Sequence, residues 1–579
     1  MITIDLNFKI EKTKDNYDIV KINKDDKWIY IGSKYNMESE IDKFLERIGK
    51  DDNRNRIFLI YGFAAGEHIK ALRNRFQYNK ILVFEPNTKL KKYIDTIDWV
   101  ESDVNLEVLC CKKEEFLNNI LKYINEFDLE VTEFTYFSNY NNIYGYELKK
   151  FLQEVKDCFV SMRINISTRF SFSERWFETL IRNIPYMVNG TPLDLYKNKY
   201  RNKPAIIVSA GPSLEKNIDQ LKQLNDEMLI ISGGRNLKSL IDKDIKPNFV
   251  TAADPDDLCY ELLKGYIEDL NIPLIFYEGT NEKIVDNHKG EKLFFSTSAF
   301  IQSIAEKNLM SFAAGGSVAH IMTKCAISFG CNPIIFIGQD LAYTNDKKYS
   351  SISDNRDLVE KDTYLENESN IWIKDINGEK VRTSLVLNQF RINFEQIIEQ
   401  FPDIEFINAT EGGARIRGAI EMPLCEVLKK YRGEKIEPIS KIENKVNMRK
   451  NAIDALNEAK ESAEFIIEKC KVTLRYLDEL KISYIMKNNN RVNSILKKID
   501  KIDEQINEQY EHILLLESLI YPIIYKTLVG KSTNSDNPNF DEMKIIVGQN
   551  KNLYKEILEK LKFSIKYIDE ALLKLQEDE

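Results

Sequence analysis

Histidine is scarce in this chain, and cysteine carries no pairing pattern. The 579 residues hold four His (His68, His288, His320, His512) and eight Cys, with no CxxC pair and no tight His/Cys cluster. That argues against a zinc site and against a secreted disulfide scaffold. A positive surplus is also missing. Lys plus Arg total 82 against 91 Asp plus Glu, a formal net charge of −9. Wrapping nucleic acid without sequence preference needs phosphate neutralisation, so no nucleic-acid partner is expected. No apolar run reaches the roughly 18–20 residues of a membrane-crossing helix, so no membrane span is expected. The N-terminal segment MITIDLNFKIEKTKDNYD breaks every apolar stretch with charges and does not read as a signal peptide. What remains is globular. Hydrophobic residues make up 43% and charged residues 30%, and the length suits about three to five domains. A soluble, cytoplasmic, multidomain protein is the expectation.

Hydrophobic periodicity divides the chain into three regions: 1–170, 171–437 and 438–579. In the first, Arg56 to Gly62 is a short apolar run ending in Gly. A Gly turn and a helix from His68 follow, and Lys80 to Phe84 is a second apolar run ending in Glu85-Pro86. Strand, Gly turn, helix, strand, acid is the order of a nucleotide-binding βαβ unit. The turn carries two Gly and not three, so the pattern fits a purely structural Rossmann-like domain at least as well.

The second region alternates strands with helices, which predicts a mainly parallel, doubly wound sheet. The predicted strands are Ala205–Val208, Met228–Ser232, Asn248–Ala253 and Pro333–Gly338, and a helical stretch covers Phe172–Asn183. In such sheets ligands sit beyond the carboxyl ends of the strands. Four strand ends there carry glycine or polar residues: Ser209 to Ser213, Gly233 to Asn236, Asp254, and Gln339-Asp340. The third region lacks the alternation. Ala452, Leu456, Ala459, Ala463, Ile466, Cys470 and Leu477 mark one long amphipathic helix. Val492, Ile495, Ile499, Ile502 and Ile506 mark a second, and Leu553 to Leu575 a third. Gly530 to Asn539 reads as a polar linker.

Several residues carry two readings each. Gly211, Pro212 and Ser213 form a βα turn at a helix start, which suits an anion or is an ordinary tight turn. Gly315, Gly316 and Ser317 open another helix, where Ser317 caps it, contacts an anion, or both. His320 on that helix is a base, a phosphate donor or a buried structural residue. Asp254-Pro255-Asp256 resembles a DxD metal motif, a substrate contact, or a Pro-containing turn. Asp340 is a base, an orienting group or a loop cap. The polar segment 345–380 suits a mobile lid.

The sequences SAGPSLEKN (209–217), TAADPDD (251–257), AGGSVAH (314–320) and GCNPIIFIGQDLAYT (330–344) resemble the motility accessory factor family of flagellin glycosyltransferases. The resemblance implies a Rossmann-like N-terminal domain, a catalytic central domain and an all-helical C-terminal region. It also implies transfer of a nonulosonic acid, of pseudaminic or legionaminic type, from a CMP-sugar donor to Ser or Thr of flagellin. More distantly, the same motifs are similar to bacterial sialyltransferases. The matching positions are Gly211 to Leu214, Gly234 to Asn236, Asp254-Pro255, Gly316 to Val318, Gly338 to Asp340, and Tyr343 with Tyr349. That likeness implies that Tyr343 and Tyr349 bind the leaving phosphate, that Asn236, Asp254 and Gln339 meet the donor, and that no metal or other cofactor is needed. The chain departs from the sialyltransferase pattern at Ala210 and Asp254, each of which stands where those enzymes have Asn. It also has no His after the Tyr pair, which leaves the general base unassigned. The central region resembles archaeal pterin pyrophosphokinases as well. That likeness implies ATP, Mg²⁺ and a small acceptor. A non-catalytic flagellin chaperone is the third reading, and self-association stays open.

Overall fold

The computed structural model describes residues 2–49, 56–110, 113–224, 226–306, 308–312, 316–353, 371–433, 435–436, 448–529 and 540–577. The linker 530–539, most of the predicted lid and the 437/438 boundary lie outside them. The chain forms two compact units, Met1–Thr168 with Leu528–Gly530, and Arg169–Thr527 with Lys531–Glu579.

The first unit opens with an antiparallel meander, β1 (Phe8–Lys12), β2 (Asp18–Lys24) and β3 (Lys27–Tyr30). A parallel sheet follows from β4 (Ile57–Tyr61), β5 (Lys80–Phe84), β6 (Leu106–Leu109) and β7 (Thr132–Tyr136), in the order β6-β5-β4-β7. β4 is buried along its whole length, as a two-faced parallel strand must be. The Gly turn after β4 is occupied by the protein itself. A Cβ on Gly62 would lie 2.4 Å from the Tyr140 ring. Phe63 N–H donates to Glu85 Oε2 at 3.0 Å, and Ala64 N–H donates to the Tyr140 hydroxyl at 2.8 Å. The Tyr140 hydroxyl in turn donates to Glu85 Oε2 at 2.6 Å. The Glu85 carboxyl at the end of the second strand therefore points inward and accepts from the Phe63 amide of the turn. Glu85 is fully buried, and that burial lifts its pKa to about 7.

The second unit is built on a nine-stranded sheet whose strand pairs are all parallel. Its strands are β8 (Thr191–Pro192), β9 (Ala205–Val208), β10 (Leu229–Gly233), β11 (Phe249–Thr251), β12 (Leu274–Phe276), β13 (Lys292–Phe294), β14 (Ile334–Ile337), β17 (Phe406–Asn408) and β18 (Ile420–Glu421). A separate hairpin pairs β15 (Ile371–Lys374) with β16 (Lys380–Thr383). The sheet order is β18-β17-β14-β9-β10-β11-β12-β13-β8. From β9 the chain winds outward through β13 and then returns to β14 on the other side of β9. The crevice between β9 and β14 is thus a topological switch point.

The stretch Phe172–Asn183 is part of a 44-residue helix, Gly145–Val188, which begins in the first unit. The amphipathic helix expected from Leu214 is a single turn, Leu214–Asn217, followed by 3₁₀ structure. The long C-terminal helices appear as Arg449–Ile485, Asn489–Asn507 and Phe540–Glu577. Ala452, Leu456, Ala459, Ala463, Ile466, Cys470 and Leu477 are all buried. They share one apolar core with Leu274, Phe276 and Phe294 of the sheet, so these helices complete the central fold. Among the described residues one stretch, His512–Val529, is apolar enough by length and composition to cross a membrane, contrary to the expectation from run length. In the fold its Leu515, Leu516 and Leu519 are buried in that same core.

Candidate functional site

Four turns converge at the switch point. Ser209 to Gly211 follows β9, Gly233 to Asn236 closes β10, Asp254 follows β11, and Gly338 to Leu341 follows β14. With the start of the helix Val318–Ser328 they line a cleft of about 260 Å³. The four strand ends singled out in the sequence therefore meet in one place.

Some residues in the turns hold the cleft and some face it, and Asp340 does both. It is 2% exposed. Its Oδ1 accepts from Ser213 Oγ at 2.7 Å and Thr344 Oγ1 at 2.6 Å, and its Oδ2 accepts from Ser213 N–H at 3.1 Å. Burial raises its pKa, and the Thr344 and Ser213 bonds oppose that rise. Gly211 is required by the same clamp, since a Cβ there would lie 2.1 Å from Asp340 Oδ2. Ser213 is buried and spends its hydroxyl on Asp340, and Pro212 is buried beside it; neither lines the cleft. Asn236 lines the cleft, but its amide donates to Val208 O at 2.8 Å. Gln339 also lines it and accepts from Ser209 Oγ.

Several expectations change here. His320 is 0% exposed, its Nε2 meets Phe390 O at 3.0 Å, and its ring packs 4.2 Å from that of Phe394. It does not line the cleft, which places it with the structural reading and not with a base. The tyrosine pair is split. Tyr349 lines the cleft. Tyr343 does not, and its ring lies under Arg382 at 4.5 Å, against the β15–β16 hairpin. Gly315 lies outside the described residues. Gly316 and Ser317 both line the cleft, and Ser317 caps the helix Val318–Ser328 by accepting from Ala319 N–H at 3.3 Å. Asp256 caps its own short helix through Leu258 N–H at 3.3 Å, so the two acids of the DxD pattern have separate uses. Among the described residues no group of three or more His, Cys, Asp or Glu is arranged to hold a metal.

Asp254 faces the cleft and is reached by solvent. The protein packed round it still raises its pKa, against opposing effects of Cys259 and the Arg235 guanidinium. Burial, reinforced by Asp254, pushes the Cys259 thiol up in turn.

Arg235 was not singled out in the sequence. It lines the cleft, and its guanidinium lies 4.1 Å over the Tyr349 ring. Its Nη1 is buried and has no hydrogen-bond partner among the described residues. Lys348 lines the cleft beside it. The lining thus sets a guanidinium, an ammonium and the N-terminus of an 11-residue helix against the carboxylates of Asp254 and Asp340. The signal was Arg235 within Gly-Gly-Arg-Asn directly after an apolar strand.

Fold and cleft together define a doubly wound α/β protein with a polar crevice at its switch point, lined by Arg235, Lys348, Asp254 and Asp340. Residues 178–346 match the model of the family described as 6-hydroxymethylpterin diphosphokinase MptE-like. Among solved structures, the chain is similar to the MAf glycosyltransferase from Magnetospirillum magneticum AMB-1. That likeness has a TM-score of 0.55 at 12% identity and covers 99% of this chain and 94% of that one. At that identity the likeness concerns the fold, which extends over nearly the whole chain. No curated protein matches the sequence.

Proposed function

We propose that the protein is a glycosyltransferase acting in the cytoplasm, moving a nonulosonic acid of pseudaminic or legionaminic type from its CMP-sugar to Ser or Thr of flagellin. The observation that carries this reading is the Arg235 guanidinium, whose Nη1 has no hydrogen-bond partner among the described residues, set on Tyr349 in the cleft that the start of the helix Val318–Ser328 also lines. A CMP-nonulosonate presents two anions, one phosphodiester and one sugar carboxylate. Arg235, Lys348 and the amides beside Ser317 supply donors for them without a metal.

In this reading the acceptor hydroxyl attacks the anomeric carbon as the bond to the CMP phosphate oxygen breaks, inverting the centre. Charge gathers on the departing phosphate, where fixed donors favour the transition state over the ground state. The acceptor's proton passes to a carboxylate in the cleft. Asp254 suits this better than Asp340, because the oxygens of Asp340 are already committed to Ser213 and Thr344. The C-terminal helices are assigned to the protein acceptor. Because they complete the core of the central sheet, charge reversals on their exposed faces test this better than truncation does.

The matched family model favours a second reading, a diphosphokinase using ATP and Mg²⁺ on a pterin-like acceptor. A transfer assay with CMP-nonulosonate and flagellin, run in EDTA, separates the two. Undiminished transfer supports the glycosyltransferase. Loss of transfer that Mg²⁺ or Mn²⁺ restores contradicts the metal-free mechanism.

A further inference from the structure

The carboxyl ends of β12 and β13 lie outside this cleft, yet they border a cavity of their own, of about 350 Å³. Tyr277 and Glu278 follow β12 directly, and Thr297 follows β13. Trp176 of the long helix and Leu515 and Ser518 of the C-terminal region close the walls. All of these residues belong to the second unit.

Three residues of this lining each carry a buried polar atom with no hydrogen-bond partner among the described residues. Glu278 is 6% exposed. Its Oε1 accepts from Thr297 N–H at 2.8 Å and Thr297 Oγ1 at 2.7 Å. Its Oε2 is buried with no partner among the described residues. The Trp176 indole Nε1 and the Ser518 hydroxyl are buried and unpartnered in the same way. Buried polar groups in folded proteins are nearly always bonded, so one acceptor and two donors left unmet round a single cavity call for an occupant.

The chemistry of the walls limits what that occupant is. Arg169, the cation on this lining, pairs with Glu517 at 3.2 Å and sits 3.7 Å over the Tyr521 ring, which leaves little reward for an anion. The Tyr277 ring is held flat by stacking on Phe295, with centroids 5.4 Å apart and planes within 9°. Leu180 and Leu515 add apolar surface. A carboxylate acceptor, an indole donor, a hydroxyl and flat apolar faces suit a ligand whose hydroxyls both donate and accept and whose C–H face is apolar. The cavity also falls within the usual size of small-molecule sites, about 300–1,000 Å³. We propose that this second cavity binds a neutral pyranose sugar, independently of the nucleotide-sugar cleft. On binding, these side chains turn their buried polar atoms to the ring, Glu278 accepting from its hydroxyls and Trp176 and Ser518 donating to others.

The test uses the full chain and saturation-transfer NMR with methyl α-glucoside, methyl β-galactoside, methyl α-mannoside and N-acetylglucosamine at millimolar concentration. The proposal expects transfer to at least one of them, weakened about tenfold or more by Glu278→Gln and several-fold by Trp176→Phe. It also expects the signal to persist under excess CMP and in Arg235→Ala. Absence of transfer to all four sugars overturns the proposal. So does a signal that CMP abolishes, since the sugar would then occupy the first cleft, and so does a signal indifferent to both wall substitutions. If Glu278→Gln does not fold, Ser518→Ala with Trp176→Phe decides the question on the same criteria.

Discussion

Asp340 offers the sharpest distinction between holding the site and reacting in it. Asp340→Ala removes the acceptor of three bonds, from Ser213 N–H, Ser213 Oγ and Thr344 Oγ1. Ser213 is 1% exposed, so its amide gains no water in exchange. An unmet buried donor costs about 1–3 kcal/mol, and hydrogen bonds to a charged acceptor contribute about 1.5–3 kcal/mol each, without simple additivity. Removing a carboxylate whose pKa burial has raised returns part of that loss. The expected net destabilisation is about 3 kcal/mol. Asp340→Asn keeps one acceptor oxygen and turns an amide toward a donor, so it falls between wild type and Ala. Calorimetric unfolding of the full chain reads this directly, since loss of the clamp lowers the transition of the second unit and leaves that of the first in place. Ser213→Ala lowers the same transition by a smaller amount. If Asp340→Ala unfolds like wild type while transfer is abolished, the clamp account fails and Asp340 acts on substrate.

Three further outcomes are expected. Arg235→Ala weakens CMP binding about tenfold to a hundredfold and lowers the unfolding midpoint only slightly, because it gives up the Tyr349 ring contact while its Nη1 has no hydrogen-bond partner among the described residues; equal affinity in the variant, by titration calorimetry, removes Arg235 from the site. Tyr349→Phe lowers turnover about 10²-fold or more while Tyr343→Phe has little effect, since Tyr349 alone of the pair lines the cleft; matched losses in a steady-state assay contradict that division. The first unit loses stability as pH rises from 4.5 to about 7, because Glu85 ionises in the unfolded chain before it ionises in the folded one. That rise in pKa corresponds to about 3 kcal/mol, and it is read by hydrogen exchange over Ile57–Ala64. Glu85→Gln flattens the profile, and a wild-type profile that is already flat refutes the inward carboxyl.

The sequence made the central sheet legible because its strands are buried on both faces. Runs such as Ala-Ile-Ile-Val at 205–208 and Ile-Ile-Phe-Ile at 334–337 have no polar side to blur them. The short strands β8, β17 and β18, of two or three residues, left no comparable mark and depend on tertiary pairing. Long helices were readable from their apolar stripes, but sequence does not say what a stripe packs on. Only the fold shows Ala452 and Leu456 in one core with Phe276. At the site, spacing picks out the turns that meet in the cleft but not the surroundings of each side chain. His320 and Ser213 sit in motif positions and bond within the protein, while Arg235, one residue from Asn236, lines the cleft. A one-position change on a turn reverses the side chain's surroundings, and no local pattern records it.

The central claim is that the switch-point cleft binds a CMP-sugar without a metal. The most direct measurement is the thermal midpoint of the full chain with CMP in EDTA, set beside ATP with Mg²⁺ and beside the Arg235→Ala variant. A ligand that binds only the folded state at a hundred times its Kd stabilises it by about 2.7 kcal/mol. CMP is expected to raise the midpoint in EDTA, ATP with Mg²⁺ is not, and the CMP effect is expected to shrink in Arg235→Ala. Stabilisation by ATP with Mg²⁺ and none by CMP would contradict it and favour the diphosphokinase reading.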